Sequence, residues 1–96
     1  MPSKLRFTAE ADAQLVQLKR VDEKKLKKVR KALGLMEANL QHPGLCVHRF
    51  DSLTGPNKEK VWEAYVENQT PGAYRILFYH GPQRGELTVM TITPHP

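Results

Sequence analysis

The hydrophobic period of this 96-residue chain changes once, at Pro43-Gly44, and that switch constrains its architecture more than any other feature. Before it, apolar residues recur every three or four positions; after it, they recur every second position. A helical stripe and an alternating strand pattern present their side chains in incompatible ways, so neither half can be refolded as the other. The order is therefore two helices and then consecutive strands. This predicts an α+β domain spanning residues 1–96, an N-terminal helical hairpin packed on one face of a twisted antiparallel sheet. The opposite face of the sheet is then free to be a working surface.

In the first half, Leu5 to Phe7 reads as a brief edge strand. Thr8 follows as an N-cap, because its hydroxyl can accept from an orphan N–H of the first helical turn. Glu10 and Asp12 sit near the positive end of the helix macrodipole. Ala11, Leu15 and Leu18 keep helical spacing, which predicts a first helix from Thr8 to Lys19. Asp22 restarts the pattern as a second N-cap. Leu26, Val29, Leu33, Met36 and Leu40 then form one stripe, and Lys24, Lys25, Lys27, Lys28, Arg30 and Lys31 occupy the other side. This is an amphipathic helix with a strongly basic outer face. Gly34 inside it costs about 1 kcal/mol against Ala and marks a close helix contact or a small bend. Pro43 cannot continue the helix, and Gly44 permits a sharp turn.

In the second half, Leu45, Val47 and Phe50 suggest a short strand, and Thr54-Gly55-Pro56-Asn57 is a loop signal. Val61 to Glu67 alternates, with Trp62, Ala64 and Val66 opposite Glu63, Tyr65 and Glu67. Ala73 to His80 sets Tyr74, Ile76 and Phe78 against Arg75, Leu77 and Tyr79. Glu86 to Thr93 is the last strand, and the short turns between these three imply an antiparallel meander.

The charge balance is 15 Lys and Arg against 10 Asp and Glu, a net +5 that favours anionic partners. The single cysteine, Cys46, excludes an internal disulfide and reads as a buried small hydrophobe. Met1 to Phe7 has no apolar core of a signal peptide, and no apolar run approaches a bilayer span. These features point to a cytoplasmic protein without a membrane partner. His42, His48, Arg49 and His80 are scattered, no pair has zinc-ligand spacing, and no glycine-rich loop cradles phosphate. Neither a metal nor a cofactor is implied.

Four stretches, in order, resemble the RelE/ParE-like toxin superfamily of type II toxin–antitoxin pairs. HPGLCVHRF (His42–Phe50) is similar to the family's segment that leaves the second helix and enters the sheet. KVWEAYV (Lys60–Val66) resembles its first meander strand, and GAYRILFYH (Gly72–His80) its Tyr-Arg-aliphatic-aromatic strand. LTVMTITPHP (Leu87–Pro96) resembles the last strand and its basic or histidine tail. The resemblance implies a toxin neutralised by a cognate antitoxin whose C-terminal segment wraps it. In the ribonuclease branch, typified by RelE and YoeB, the toxin cleaves messenger RNA on translating ribosomes without a metal; in the ParE branch it poisons DNA gyrase. A third alternative is a binding module of the same fold without chemistry.

Metal-free RNA cleavage needs a base for the 2′-hydroxyl, positive charge on the phosphorane and an acid for the leaving 5′-oxygen. Arg75 matches the family's strand arginine, and its planar fork can hold two phosphate oxygens; the competing role is an ion pair with Glu63 or Glu67. His95 stands where YoeB-like members carry a C-terminal histidine, a side chain suited to proton exchange near neutral pH. Tyr79 and Tyr65 can stack on a base or donate a proton, or can simply pack. RelE has lysines where this chain has Glu63, Tyr65 and Glu67; one glutamate, Glu63, is a candidate base. Lys24, Lys27, Lys28, Lys31 and Arg49, with Tyr65, are the candidate contacts to RNA or ribosome, the alternative being a merely solvated basic face.

Overall fold

A computed structural model describes residues 2–68 and 70–95; Met1, and Pro96 at the end of the tail motif, lie outside the described residues. The elements run β1 (Lys4–Phe7), α1 (Ala9–Val21), α2 (Glu23–Ala38), a 3-10 turn (Pro43–Leu45), β2 (His48–Thr54), β3 (Lys60–Tyr65), β4 (Tyr74–His80) and β5 (Glu86–Pro94). Thr8 caps α1 by accepting from the Ala11 N–H, and Asp22 caps α2 by accepting from Lys25. Asp22 is the only residue between the helices, and its own N–H closes α1 on the Leu18 carbonyl at 2.8 Å.

The five strands form one sheet in the order β1-β5-β4-β3-β2. The meander β3-β4-β5 is antiparallel as its short turns imply. The sheet as a whole is mixed, however, because β1 pairs in parallel with β5, Leu5 opposite Leu87 and Phe7 opposite Val89. The sequence signalled β1 only as an edge strand. Its partner is the last strand of the chain, a long-range pairing that no local turn specifies.

The core lies between the helices and one sheet face. Val29, Met36, Ile76, Phe78 and Val89 are fully buried in it, and Trp62, Val66 and Tyr74 pack at its margin. The parity read from β3 and β4 thus holds: Trp62, Ala64, Tyr74, Ile76 and Phe78 face the helices. Leu45 is also fully buried, but in the 3-10 turn rather than in a strand. There the His42 ring accepts from the Gly44 N–H at 3.0 Å, and Cys46 takes a left-handed conformation with φ of 47°. Cys46 is exposed and so is no core residue; the turn swings it outward. Among the described residues no helix is long and apolar enough to cross a membrane.

Gly34 marks neither a close contact nor a packing constraint: it is exposed, and a Cβ built there meets nothing within 4 Å. Gly34→Ala is therefore expected to stabilise the fold by about 1 kcal/mol, the helix-propensity difference alone. Thermal unfolding should register a rise of roughly 4–8 °C; a fall would mean that the helix needs flexibility at that position.

Candidate functional site

The sheet face turned away from the helices is shaped by a defect in the pairing of β2. Arg49 lies opposite Trp62 and Thr54 opposite Lys60, so Phe50 to Leu53 all face the single β3 residue Val61. Such a bulge bends the strand and re-aims its side chains. Phe50 ends with its ring 4.8 Å from the Arg75 guanidinium. Val61, Leu77, Tyr79 and Thr88 are buried on this face. The working surface is consequently narrower than a free sheet face.

At its floor lies Glu63, only 3% exposed. One carboxylate oxygen accepts from Arg75 Nη1 at 3.0 Å; the other meets His48 Nε2 at 2.6 Å. The register explains the grouping, because His48 pairs with Glu63 across β2-β3 and Arg75 sits diagonally on β4. The second nitrogen of His48, Nδ1, lies 2.6 Å from the Cys46 carbonyl. Both ring nitrogens therefore face acceptors. Burying a carboxylate is tolerable here because each oxygen has a polar partner at hydrogen-bond distance and one of the two is a guanidinium. Arg75 Nε is buried with no hydrogen-bond partner among the described residues.

Tyr65 lies directly opposite Arg75 in the β3-β4 register. Its ring is approached edge-on by two imidazoles, His48 at 5.3 Å and His95 at 6.3 Å between centroids. His95 is held in place by extension of the sheet: Pro94 pairs with Tyr74, and the His95 N–H donates to the Ala73 carbonyl at 2.7 Å. A cavity lined by Tyr65, Cys46, Asn68, Tyr74 and His95 opens beside this group. The arrangement brings a guanidinium, two imidazoles and a phenol to one patch with access from solvent. Such a set can bind an anion and move protons beside it.

Glu67 does not join the face as alternation implied. Strand β3 ends at Tyr65, and the Glu67 carboxylate turns to α2, bonding Lys25 and, at 2.8 Å, Lys28. Lys25 also lies over the Tyr74 ring, 5.2 Å from its centre. The Lys25 hydrogen bond, then that of Lys28, holds the Glu67 carboxyl below its ordinary value of 4.5, against the opposing push of burial. The Glu63 charge is thus matched by Arg75 and the Glu67 charge by two lysines, so neither carboxylate of the supposedly acidic strand stands without a cation.

Because the folded carboxyl titrates below 4.5, its stabilising contribution is complete above that pH and fades as pH falls below it. Glu67→Gln should accordingly lower stability at pH 7 by about 1–2 kcal/mol, between the cost of breaking an exposed and a buried pair. The deficit should shrink as pH falls below the carboxyl's titration range. Urea unfolding at several pH values checks this, and a pH-independent deficit would assign the effect to shape rather than charge.

Of the residues singled out from sequence, the structure gathers Glu63, Tyr65, Arg75 and His95. The alternative of an Arg75–Glu63 ion pair is realised, and it leaves Glu63 with both oxygens occupied rather than poised as a base. Tyr79 is buried, four residues along β4 from Arg75, about 13 Å at strand rise, and outside the group. Arg49 stacks over Trp62 at 5.5 Å and bonds Asp51 at 3.0 Å, so it too lies apart. Lys24, Lys27 and Lys31 are exposed on α2. His48 was missed: β2 begins at it, after the turn at Pro43–Leu45 and the left-handed Cys46, so only the pairing of β2 with β3 brings it to Glu63. Among the described residues no three His, Cys, Asp or Glu side chains gather as a metal site.

No protein-family model and no curated protein sequence matches the chain. Solved structures do. A YoeB/ParE toxin from Agrobacterium tumefaciens superposes with a TM-score of 0.71 at 14% identity, covering 97% of this chain and 99% of that one. A chain of the archaeal RelE–RelB complex from Pyrococcus horikoshii gives 0.67 at 10% identity, covering 98% and 96%. A chain of the E. coli DinJ–YafQ toxin–antitoxin complex gives 0.65 at 14%, covering 99% and 94%. Similarity of that extent at such low identity establishes the fold.

Proposed function

We propose that this chain, which carries the fold of the RelE, YoeB and YafQ toxins, is the toxin of a toxin–antitoxin pair and a metal-independent endoribonuclease acting on translated message. The observation that carries the reading is the grouping about Tyr65, which lines the cavity together with His95 and stands directly across the strand pair from Arg75, whose guanidinium is fixed by the Glu63 carboxylate. Glu63 takes Arg75 Nη1, and this reading gives the donors that Glu63 does not use to a phosphate. In this mechanism a ribose 2′-oxygen loses its proton and attacks the adjacent phosphorus. The bond to the 5′-oxygen then breaks, and a 2′,3′-cyclic phosphate remains. Arg75 stabilises the added negative charge of the phosphorane. His95 takes the proton from the attacking 2′-oxygen and returns it to the leaving 5′-oxygen, and Tyr65 packs against a flanking base. Similar structures include the RelE–RelB complex and the DinJ–YafQ toxin–antitoxin complex, which supports a cognate antitoxin as the partner of this chain.

The test is incubation of the purified chain with a single-stranded RNA in the presence of a chelator. Cleavage with cyclic-phosphate ends is expected, and His95→Ala should slow it by about 10²–10⁴, the usual worth of a positioned proton-transfer group. Full activity of His95→Ala would remove the histidine from the mechanism, and cleavage abolished by the chelator would remove the mechanism itself.

A further inference from the structure

The basic face of α2 is joined to the candidate site by a groove that the mechanism leaves unused. Lys28, Lys31, His42, Leu45, Tyr65 and Val66 line it, and Tyr65 is shared with the cavity that holds His95. Tyr65 also stands opposite Arg75 in register, so a single aromatic ring separates the groove from the proposed reactive phosphate. Its walls carry charge in graded availability. Lys28 spends one proton on Glu67 and is still half exposed. Lys31, one turn on, is exposed. His42 uses Nδ1 to accept from Gly44, which puts its proton on Nε2 as a donor. The floor that Leu35 and Val66 offer is apolar. Lys24 and Lys27 extend the positive stripe along the helix.

We infer that this groove is a subsite for the nucleotides flanking the cleaved bond: a single RNA strand crosses Tyr65 and lays its next phosphates against Lys28, Lys31 and His42. The assignment rests on the reading of the Arg75–His95 patch as an RNA-cleaving site and extends it. Alternating phosphate and base match a wall of cations over an apolar floor with an aromatic edge. An acidic protein segment would match the charge. It would gain nothing from continuity with the Arg75 patch, which is why an RNA strand is the occupant argued here.

The experiment measures binding of labelled 2′-O-methyl RNA, which lacks the attacking hydroxyl, as a dinucleotide and as an octanucleotide at low salt. The intact chain is compared with Lys31→Glu, Lys31→Ala and, as an equal change of net charge elsewhere, Lys19→Glu on α1. Both lysines are exposed, so folding is expected to survive and circular dichroism checks it. Lys31→Glu should weaken the octanucleotide by about ten-fold and leave the dinucleotide unchanged, and Lys31→Ala should lower the salt slope by about 0.7. Equal losses from Lys19→Glu, or equal losses on both lengths, would overturn the subsite. So would Lys31-dependent binding of a polyglutamate peptide without any dependence on RNA length, which would assign the groove to an acidic partner. Arg75-dependent cleavage with unaltered octanucleotide binding would overturn the subsite alone. Failure of the unaltered chain to bind either RNA would overturn both it and the nuclease reading.

Discussion

Arg75→Ala is expected to reduce RNA cleavage by about 10²–10³ or more, the usual loss when a preorganised donor to a developing oxyanion is removed. The expectation follows from where the guanidinium is held. Glu63 fixes Nη1, Phe50 covers the planar face, and Tyr65 stands beside it, so the remaining donors have little freedom left to lose. Arg75→Lys should recover little of the activity, although it keeps the charge. An ammonium cannot satisfy Glu63 and grip a phosphate with a fixed fork at the same time. Single-turnover cleavage of a defined RNA separates these outcomes. Equal activity in Arg75→Lys and the unaltered chain would mean that the site needs only a positive charge.

Glu63→Ala should be the most destabilising substitution on the open face, at about 3–5 kcal/mol, because it strands buried charge. Arg75 cannot be neutralised when the carboxylate is gone, and its side chain is only 14% exposed. A loss of that size is a large part of the stability of a domain this small, and the midpoint of thermal unfolding should fall by more than about 10 °C. Glu63→Gln should be milder, since it keeps an acceptor in place and removes only the charge. Adding Arg75→Met to Glu63→Ala should recover part of the loss, since the charge left alone is then gone. Urea unfolding of the single and double variants measures this coupling. Strictly additive losses would show that the two side chains stabilise the fold independently.

The helices, the meander and the inward parity of β3 and β4 were legible because each rests on a local pattern: caps at Thr8 and Asp22, a stripe from Leu26 to Met36, alternation around Trp62 and Ile76. The parallel pairing of β1 was not, because it joins Leu5 to Leu87 across most of the chain and no turn encodes it. The site was half legible. Arg75 and His95 carry side chains whose chemistry stands out in any register. His48 does not stand out until β2 is set against β3, and the bulge that brings Phe50 over Arg75 has no sequence signature. The same limit misread the glutamates. On an ideal strand Glu63 and Glu67 share a face and would repel RNA. The strand ends between them, so one turns to α2 and the other is neutralised beneath the site.

The central claim, that this face cleaves translated message, is tested most directly in cells. The chain and its Arg75→Ala variant would be expressed under tight induction, and message 5′ ends mapped by primer extension. Growth arrest with new cleavages inside translated frames, both lost in the variant, is the predicted result. Intact message and normal growth with a well-folded chain would contradict it, leaving the fold as a binding module without chemistry.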